Sequence, residues 1–218
     1  EACFKVIAPA LKATALLMDV GSTKADIVAA ALNTLGDKLH CFVPVHPITG
    51  KEVAGVEHSD ANLYKDRALI ITPMASSGAT QVQLVKQIWK SLGSYITELS
   101  PAAHDAAFAA VSHLPHVLAY AVIRGIFQQK NGPDLIALGG PGFRDFSRIA
   151  ASDPVVWRDI LTTNREQVLL QIAHFKQALH DFEKAIDQDD PKLLEDMIRQ
   201  ASDLRFNWRM GSSQNSEK

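Results

Sequence analysis

The chain has 218 residues, enough for one large or two modest domains, and 47% of them are hydrophobic, so a sizeable core can form. Its 22 Lys and Arg residues against 24 Asp and Glu residues give a net charge of −2 with both signs interspersed, which argues against nucleic acid or a membrane surface as the main partner. We expect no apolar run long enough to span a bilayer, and the two cysteines, which show neither metal spacing nor a disulfide framework, favour a reducing cytoplasm.

Residues 1–98 alternate strand-like and helix-like segments, which predicts a parallel α/β sheet. The apolar run 15–20 predicts a buried strand that ends in a Gly-Ser turn. Ser22 or Thr23 is then expected to cap a helix over 24–35, which Gly36 ends. Three further strands and one further helix are predicted at 39–45, 67–72, 94–98 and 82–92.

From Pro101 onward the pattern is helical throughout. One predicted helix carries an apolar seam with spacings of three and four residues, formed by Val168, Ile172, Phe175, Leu179, Phe182 and Ile186. Such a seam suits packing against another helix, either within the chain or across a dimer interface. The predicted domains are therefore an α/β part over 1–98, an all-α part over 99–210 and a polar, disordered tail over 211–218.

Three motifs indicate a site for an anionic small molecule. Residues 139–159 combine glycines, which let a ligand approach the backbone closely, with arginines that can grip a carboxylate in two places. These arginines are Arg144, Arg148 and Arg158, and the alternative is that they pair with Asp145, Asp153 and Asp159. Two histidine motifs lie elsewhere, VHPITG at 45–50 and VSHLPH at 111–116.

Together with DVGSTK at 19–24 and His104-Asp105, these motifs resemble, in order and spacing over about residues 16–208, the prephenate/arogenate (cyclohexadienyl) dehydrogenase family. The resemblance implies a partial Rossmann-type parallel sheet followed by a helical domain that forms a homodimer. It also implies an enzyme of tyrosine biosynthesis. Such an enzyme converts prephenate or arogenate to 4-hydroxyphenylpyruvate or tyrosine by oxidative decarboxylation, with hydride transfer to NAD or NADP.

The resemblance also implies a role for particular residues. His46 is expected to accept the substrate's hydroxyl proton, since a neutral imidazole is a suitable base near neutral pH, and Ser22 is expected to assist it. A helix cap is the alternative role for Ser22. The expected substrate-binding residues are His116, Arg148, Asp145, Trp157 and Glu52, and the resemblance leaves open whether Trp157 comes from the partner subunit. The expected cofactor-binding residues are Gly21, Ser22 and Pro47.

Several features depart from the family pattern. No G-x-G-x-x-G turn occurs, so we expect a form that is truncated at its N-terminus and inactive by itself. Pro141 stands where relatives often have glycine, which removes an N–H donor, and the departures Thr49 and Lys51 carry no predicted effect. No cysteine or carboxylate completes a metal site with the neighbouring pair His113 and His116, so we predict no metal.

Two other classes of function remain alternatives. A non-catalytic ligand-sensing or dimerisation module would explain the missing glycine turn, but it would not explain why His46, His116 and Arg148 are all present. An oxidoreductase resembling the β-hydroxyacid dehydrogenases would need a catalytic lysine in a helix, and the sequence contains no matching motif.

Overall fold

The computed structural model describes residues 1–50 and 55–209. The coordinates divide into two compact units, Glu1–Val168 and Leu169–Lys218. The domain boundary predicted near residue 98 stays a prediction, and the predicted tail at 211–218 lies outside the described residues.

Strands and helices alternate in the first part of the first unit, as predicted. The strands are β1 Leu17–Met18, β2 Phe42–Val43, β3 Val45–Pro47, β4 Ala68–Ile71 and β5 Tyr95–Glu98. The helices are α1 Ala2–Ile7, α2 Ala25–Thr34 and α3 Ala79–Ser91. Gly36 and Gly93, which follow α2 and α3, have φ values of +50° and +84°, a conformation that glycine adopts without strain.

The described strands form two sheets rather than the single parallel sheet predicted, a two-stranded sheet of β1 and β2 and a three-stranded sheet in the order β3-β4-β5. β1 pairs with β2 in parallel and β4 pairs with β5 in parallel, but β3 runs antiparallel to β4, with His46 opposite Ile70. The predicted strand 39–45 is also interrupted, because Gly36–Cys41 is a 3₁₀ helix and Pro44 separates β2 from β3. Proline has no N–H for a strand ladder, so the chain can change direction between the two short strands.

Apolar side chains fix these elements in two clusters. One consists of strand residues packed against α3, namely Val43, Val45, Leu69, Ile71, Val85 and Trp89. The other joins α1 and α2 to β2 through Phe4, Ala31, Leu35 and Phe42. The strand that carries His46 therefore begins at the fully buried Val45, which holds its backbone in place.

The second part of the first unit is helical, as predicted. α4 Pro101–Phe108, a π-helical turn Ala109–His113 and α5 Leu114–Phe127 follow one another directly. Shorter helices follow, namely α6 Gly132–Ala137, α7 Pro141–Ser147 and α8 Pro154–Thr163. By length and composition the run Pro101–Phe127, with a mean hydropathy of 1.6, could cross a membrane, so the expectation that no run is long enough is wrong. The same run carries buried His104, Asp105 and His113.

The last two helices are α9 Arg165–Asp187 and α10 Pro191–Asn207. The predicted seam lies within α9. Val168 at its start is buried, whereas Leu179 and Ile186 expose 55% and 65% of their surface. Apolar side chains spaced along one face of a helix and left this exposed are typical of a surface that packs against another helix.

Candidate active site

A cavity of about 660 Å³ brings the histidine motifs and the arginine segment together. One wall comes from residues 22 and 46–50 at the sheet, and the other comes from 108–116 and from 148–160. Among the predicted site residues, the lining includes Ser22, His46, Pro47, His116, Arg148 and Trp157. The cavity thus lies beyond the carboxyl end of β1, where open α/β sheets bind ligands.

His46 is the first member of a buried hydrogen-bonded chain. Its Nδ1 lies 2.8 Å from Nε2 of His104, and Nδ1 of His104 lies 2.7 Å from Oδ1 of Asp105. His104 is fully buried, and Phe108 stacks on its ring with 4.5 Å between centroids. Phe108 also packs against His46 at 4.9 Å, so both rings are held in place.

Asp105 also caps α2 across the fold. Its Oδ1 accepts from the backbone N–H of Lys24 and its Oδ2 from that of Ala25, each at 2.8 Å. The predicted cap by Ser22 or Thr23 is therefore wrong, since Lys24 is the N-cap residue and a carboxylate 81 residues further along the chain satisfies its N–H. A carboxylate at a helix N-terminus is stabilised by both hydrogen bonds and the helix dipole.

A buried ion pair supports the strand below His46. The ammonium group of Lys24 pairs with Asp19 and donates to the carbonyl oxygen of Val45 at 2.8 Å. Asp19 in turn accepts from the backbone N–H of Val45 at 3.2 Å and of Gly21 at 2.9 Å. Burial lowers the pKa of Lys24, while the neighbouring Asp19 opposes that shift.

His113 and Asn164 connect a second histidine to the same network. Nδ2 of Asn164 donates to the carbonyl oxygen of Asp105 at 2.7 Å and lies 3.2 Å from Nδ1 of His113. Because the amide nitrogen can only donate, Nδ1 of His113 accepts and the proton of its neutral ring is on Nε2. His113 is thus a buried, hydrogen-bonded histidine on the cavity wall.

His116 lies against the indole of Trp157. The two rings stack, with 3.5 Å between centroids and an angle of 20° between planes. Nδ1 of His116 donates to the carbonyl oxygen of Ser112 at 2.9 Å, so its Nε2 remains available to a ligand. Trp157 lines the cavity of its own chain, and a contribution of this residue from the partner subunit stays a prediction.

Burial keeps the cavity histidines neutral. It lowers the pKa of His46 to about 3, with further lowering by His104 and Lys24, and it lowers the pKa of His113 to about 4. It also lowers the pKa of His116. Burial alone would raise the pKa of Asp105, but hydrogen bonds from His104 and from the backbone outweigh it, and the pKa falls below its usual value.

The cavity brings together only part of the predicted set. As far as residues 1–50 and 55–209 define it, the lining leaves out Gly21 and Asp145. Asp145 is exposed and pairs with Arg144 at 3.1 Å, and Arg158 pairs with Asp159 at 2.7 Å, as the alternative for two of the arginines proposed. Glu52 and Lys51 lie outside the described residues, whereas Thr49 lines the cavity.

Sequence reasoning missed the groups behind the lining. The dipeptide His104-Asp105 was one of the motifs that carry the resemblance. Its contacts could not be predicted, because His46 is 58 positions from His104 and the start of α2 is about 80 positions from Asp105. Asp19 and Lys24 lie in the motif at 19–24, but the sequence predicted no role for either residue. Asn164 carried no sequence signal, since an isolated asparagine between two helices is ordinary.

A sheet-edge wall facing a helical wall, with hydrogen-bonded histidines between them, is typical of nucleotide-dependent dehydrogenases that carry a helical second domain. Comparison with known proteins agrees with that class. The sequence matches the nucleotide-binding domain of prephenate dehydrogenase over residues 1–98 and the prephenate dehydrogenase dimerization domain over residues 100–200. The chain therefore belongs to the prephenate dehydrogenase family of oxidoreductases, which confirms the predicted family and fold class.

Individual proteins and solved structures that this chain resembles are members of the same family. A cyclohexadienyl dehydrogenase of Zymomonas mobilis is 33% identical over 92% of this chain and 68% of its own length. A prephenate dehydrogenase of Bacillus subtilis is 30% identical over 87% of this chain, which spans only 51% of that relative. The crystal structure of A. aeolicus prephenate dehydrogenase with hydroxyphenyl propionate and NAD+ is 35% identical, with a TM-score of 0.88 over 94% of this chain and 71% of that one. Synechocystis arogenate dehydrogenase is 26% identical, with a TM-score of 0.81 over 94% of this chain.

Proposed function

We propose that this chain supplies the proton-accepting and substrate-binding part of an NAD(P)-dependent dehydrogenase that oxidatively decarboxylates prephenate or arogenate. The observation that carries the proposal is the cavity in which His46 faces His116 and Arg148, together with the family to which the chain belongs. The reaction needs a base at the hydroxyl group and cations at the carboxylates, and these side chains provide both.

His46 accepts the hydroxyl proton of the substrate in this proposal. A pKa of about 3 in the protein alone keeps the ring neutral, so it is able to accept at any physiological pH. An anionic substrate beside the ring favours the charged form and raises that pKa when it binds. Ser22, which is half-buried and lines the same cavity, hydrogen-bonds near the same hydroxyl group in this proposal.

Arg148 and His116 bind the two carboxylates. Arg148 begins the 3₁₀ segment Arg148–Ala151, and its guanidinium suits the ring carboxylate because it can form two parallel hydrogen bonds. His116, fixed by Ser112 and Trp157, directs Nε2 toward the side-chain carboxylate, and that anion favours the charged ring, in which Nε2–H donates to it. We assign Glu52 to the mouth of the site on the resemblance alone.

The residues present fit the nicotinamide end of NAD(P). Ser22 and Pro47 line the cavity together with His46, while the sequence contains no G-x-G-x-x-G turn for the pyrophosphate. The nicotinamide supplies a hydride acceptor when it is bound. Loss of carbon dioxide then follows from aromatisation of the ring, which Arg148 has held in place by its carboxylate.

The assembly is a homodimer in this proposal, with the helical part at the interface. The match to a dimerization domain over residues 100–200 and the exposed apolar face of α9 support it. A cytoplasmic location accords with the unpaired thiols of Cys3 and Cys41. A non-catalytic ligand-sensing module remains the second candidate.

Two measurements separate these candidates. We expect the 218-residue chain to bind hydroxyphenyl propionate in calorimetry and to give no NADH absorbance with prephenate.

A chimera in which the N-terminal nucleotide-binding residues of the Zymomonas mobilis relative precede Glu1 should reduce NAD+ with prephenate or arogenate. In that chimera His46→Asn should lower kcat by about 10²–10⁴-fold. A folded chimera that binds the analogue but never reduces cofactor would favour the sensing module.

A further inference from the structure

The hydrogen-bonded chain behind His46 determines where its proton lies. The carboxylate of Asp105 can only accept, so Nδ1 of His104 must donate to it across 2.7 Å. A neutral His104 then has its lone pair on Nε2, which faces Nδ1 of His46 across 2.8 Å. His46 must therefore donate from Nδ1, and its own Nε2 is left unprotonated.

We infer that His104 and Asp105 are positioning residues that hold His46 in the tautomer with a proton on Nδ1 and a lone pair on Nε2. This inference rests on the proposed function, in which Nε2 is the atom that accepts the hydroxyl proton. In the opposite tautomer Nε2 would carry a hydrogen and could not act as a base.

Asp105 is suited to this task because its own position is fixed. It is 4% exposed and accepts three hydrogen bonds, two of them from the first N–H groups of α2. Those donors stabilise the ionised carboxylate, so the acceptor at the end of the chain persists. The orientation of His46 on the sheet is thereby tied to that of α4, which carries both His104 and Asp105.

Asp105 offsets part of the lowering that burial imposes on the pKa of His46. His104 links that carboxylate to His46, which accepts the proton on Nε2. Its imidazolium keeps the Nδ1 hydrogen bond to His104, which in turn donates to Asp105.

The tautomer can be measured on the unmodified 218-residue chain without any activity. Nitrogen-15 labelling of histidine and long-range proton–nitrogen spectra distinguish a protonated ring nitrogen from an unprotonated one. We expect Nδ1 of His46 to be protonated and its Nε2 to be unprotonated at pH 7. A His46 ring with the proton on Nε2 would overturn the inference.

Two substitutions of His104 test whether His104 determines the tautomer of His46. His104→Leu removes the acceptor, and the preference of His46 for the Nδ1–H tautomer should fall by about tenfold, the worth of one net hydrogen bond. His104→Gln restores an acceptor oxygen near the former Nε2 and should recover most of that preference. His174→Gln, on the exposed surface of α9, is the control and should leave the His46 signals unchanged. An unchanged tautomer in a folded His104→Leu chain would refute the role of His104.

Kinetics in the chimera distinguish failure of this inference from failure of the proposed function. His104→Leu should lower kcat by about tenfold or more with little change in KM, and His104→Gln should be intermediate. A chimera that is active but insensitive at His104 would leave the proposed function intact and refute the positioning role. A chimera that is inactive, with the expected tautomer still observed, would refute the proposed function alone.

Discussion

At the scale of single residues, similar side chains in one sequence segment differ in their surroundings. Three arginines lie between residues 139 and 159, but Arg144 and Arg158 pair with their neighbours Asp145 and Asp159 at the surface. Arg148 lines the cavity. Asp153, a further candidate partner in the sequence, accepts from the first N–H groups of α8. Because Arg148 is the one of these three arginines in the cavity lining of the described residues, it is the arginine that we propose binds a carboxylate.

Arg148→Ala should weaken binding of hydroxyphenyl propionate by roughly ten- to a hundredfold, because a charge-assisted contact is lost. Arg148→Lys should recover only part of the affinity, since an ammonium group lacks the planar fork. Calorimetric affinity and melting temperature are measured together, and Arg144→Ala is the matched control with unchanged affinity. A lowered melting temperature with unchanged affinity would assign Arg148 a structural role instead.

The neutral histidines predict the acid stability of the chain. An unfolded histidine has a pKa near 6.5, whereas His46 and His113 have values of about 3 and about 4 in the folded protein. Above pH 6.5 their contribution to stability is fully present. As the pH falls below 6.5 the unfolded state gains protons that the folded state does not, so stability is lost down to about pH 4 and then pH 3.

We therefore expect the free energy of unfolding in urea to fall by about 2–4 kcal/mol between pH 7 and pH 5. His113→Gln should make this dependence shallower, because one of the two buried rings is gone. His180→Gln, whose exposed ring lies on α9, should leave the slope as it is. A free energy that stays flat over this pH range would contradict the burial argument.

At the scale of elements, the π-helical turn Ala109–His113 sets the relation between two parts of the site. It lies between α4, which carries His104 and Asp105, and α5, which carries His116. A π turn contains one residue more than an α-helical turn over the same length, so it rotates everything that follows about the helix axis. The turn therefore sets the rotation of His116 on α5 relative to Phe108 on α4, which lines the same cavity.

Deletion of Val111, which exposes 72% of its surface within the turn, should restore a regular helix and rotate α5 relative to α4. Circular dichroism should report a similar helix content, while affinity for hydroxyphenyl propionate falls by at least about tenfold, the loss expected for one displaced polar contact. Val111 also lines the cavity, so Val111→Ala, which keeps the turn, is the control for loss of the side chain alone and should lose much less affinity than the deletion. A deletion variant that binds normally would show that the turn does not set the geometry.

At the scale of the whole molecule, α9 leaves much of its apolar seam exposed. Phe175 and Phe182 are half-buried, and Leu179 and Ile186 are more exposed still. The hydrophobic effect makes such a face unfavourable in water unless another helix covers it. A second copy of the chain is the partner that we propose, in line with the match to a dimerization domain.

The chain should therefore run as a dimer in light scattering. Replacement of both Phe175 and Phe182 by Asp should dissociate or unfold it, because two charges would be buried at the interface. Lys176→Glu also changes charge on α9, but at an exposed position, and should leave the dimer intact. A stable monomer for the unmodified chain would contradict a dimer built on this face.

The sequence by itself determined the alternation of strands and helices, the helical second half and the cavity residues His46, His116 and Arg148. Each follows from local patterns, namely apolar periodicity, glycine at helix ends, and short motifs in a recognisable order. The tertiary structure alone decided the antiparallel β3, the cap of α2 by Asp105 and the chain from Asp105 through His104 to His46. These contacts join residues that lie far apart in sequence. Burial leaves each donor and acceptor to find a partner in space, and no local pattern specifies which one it meets.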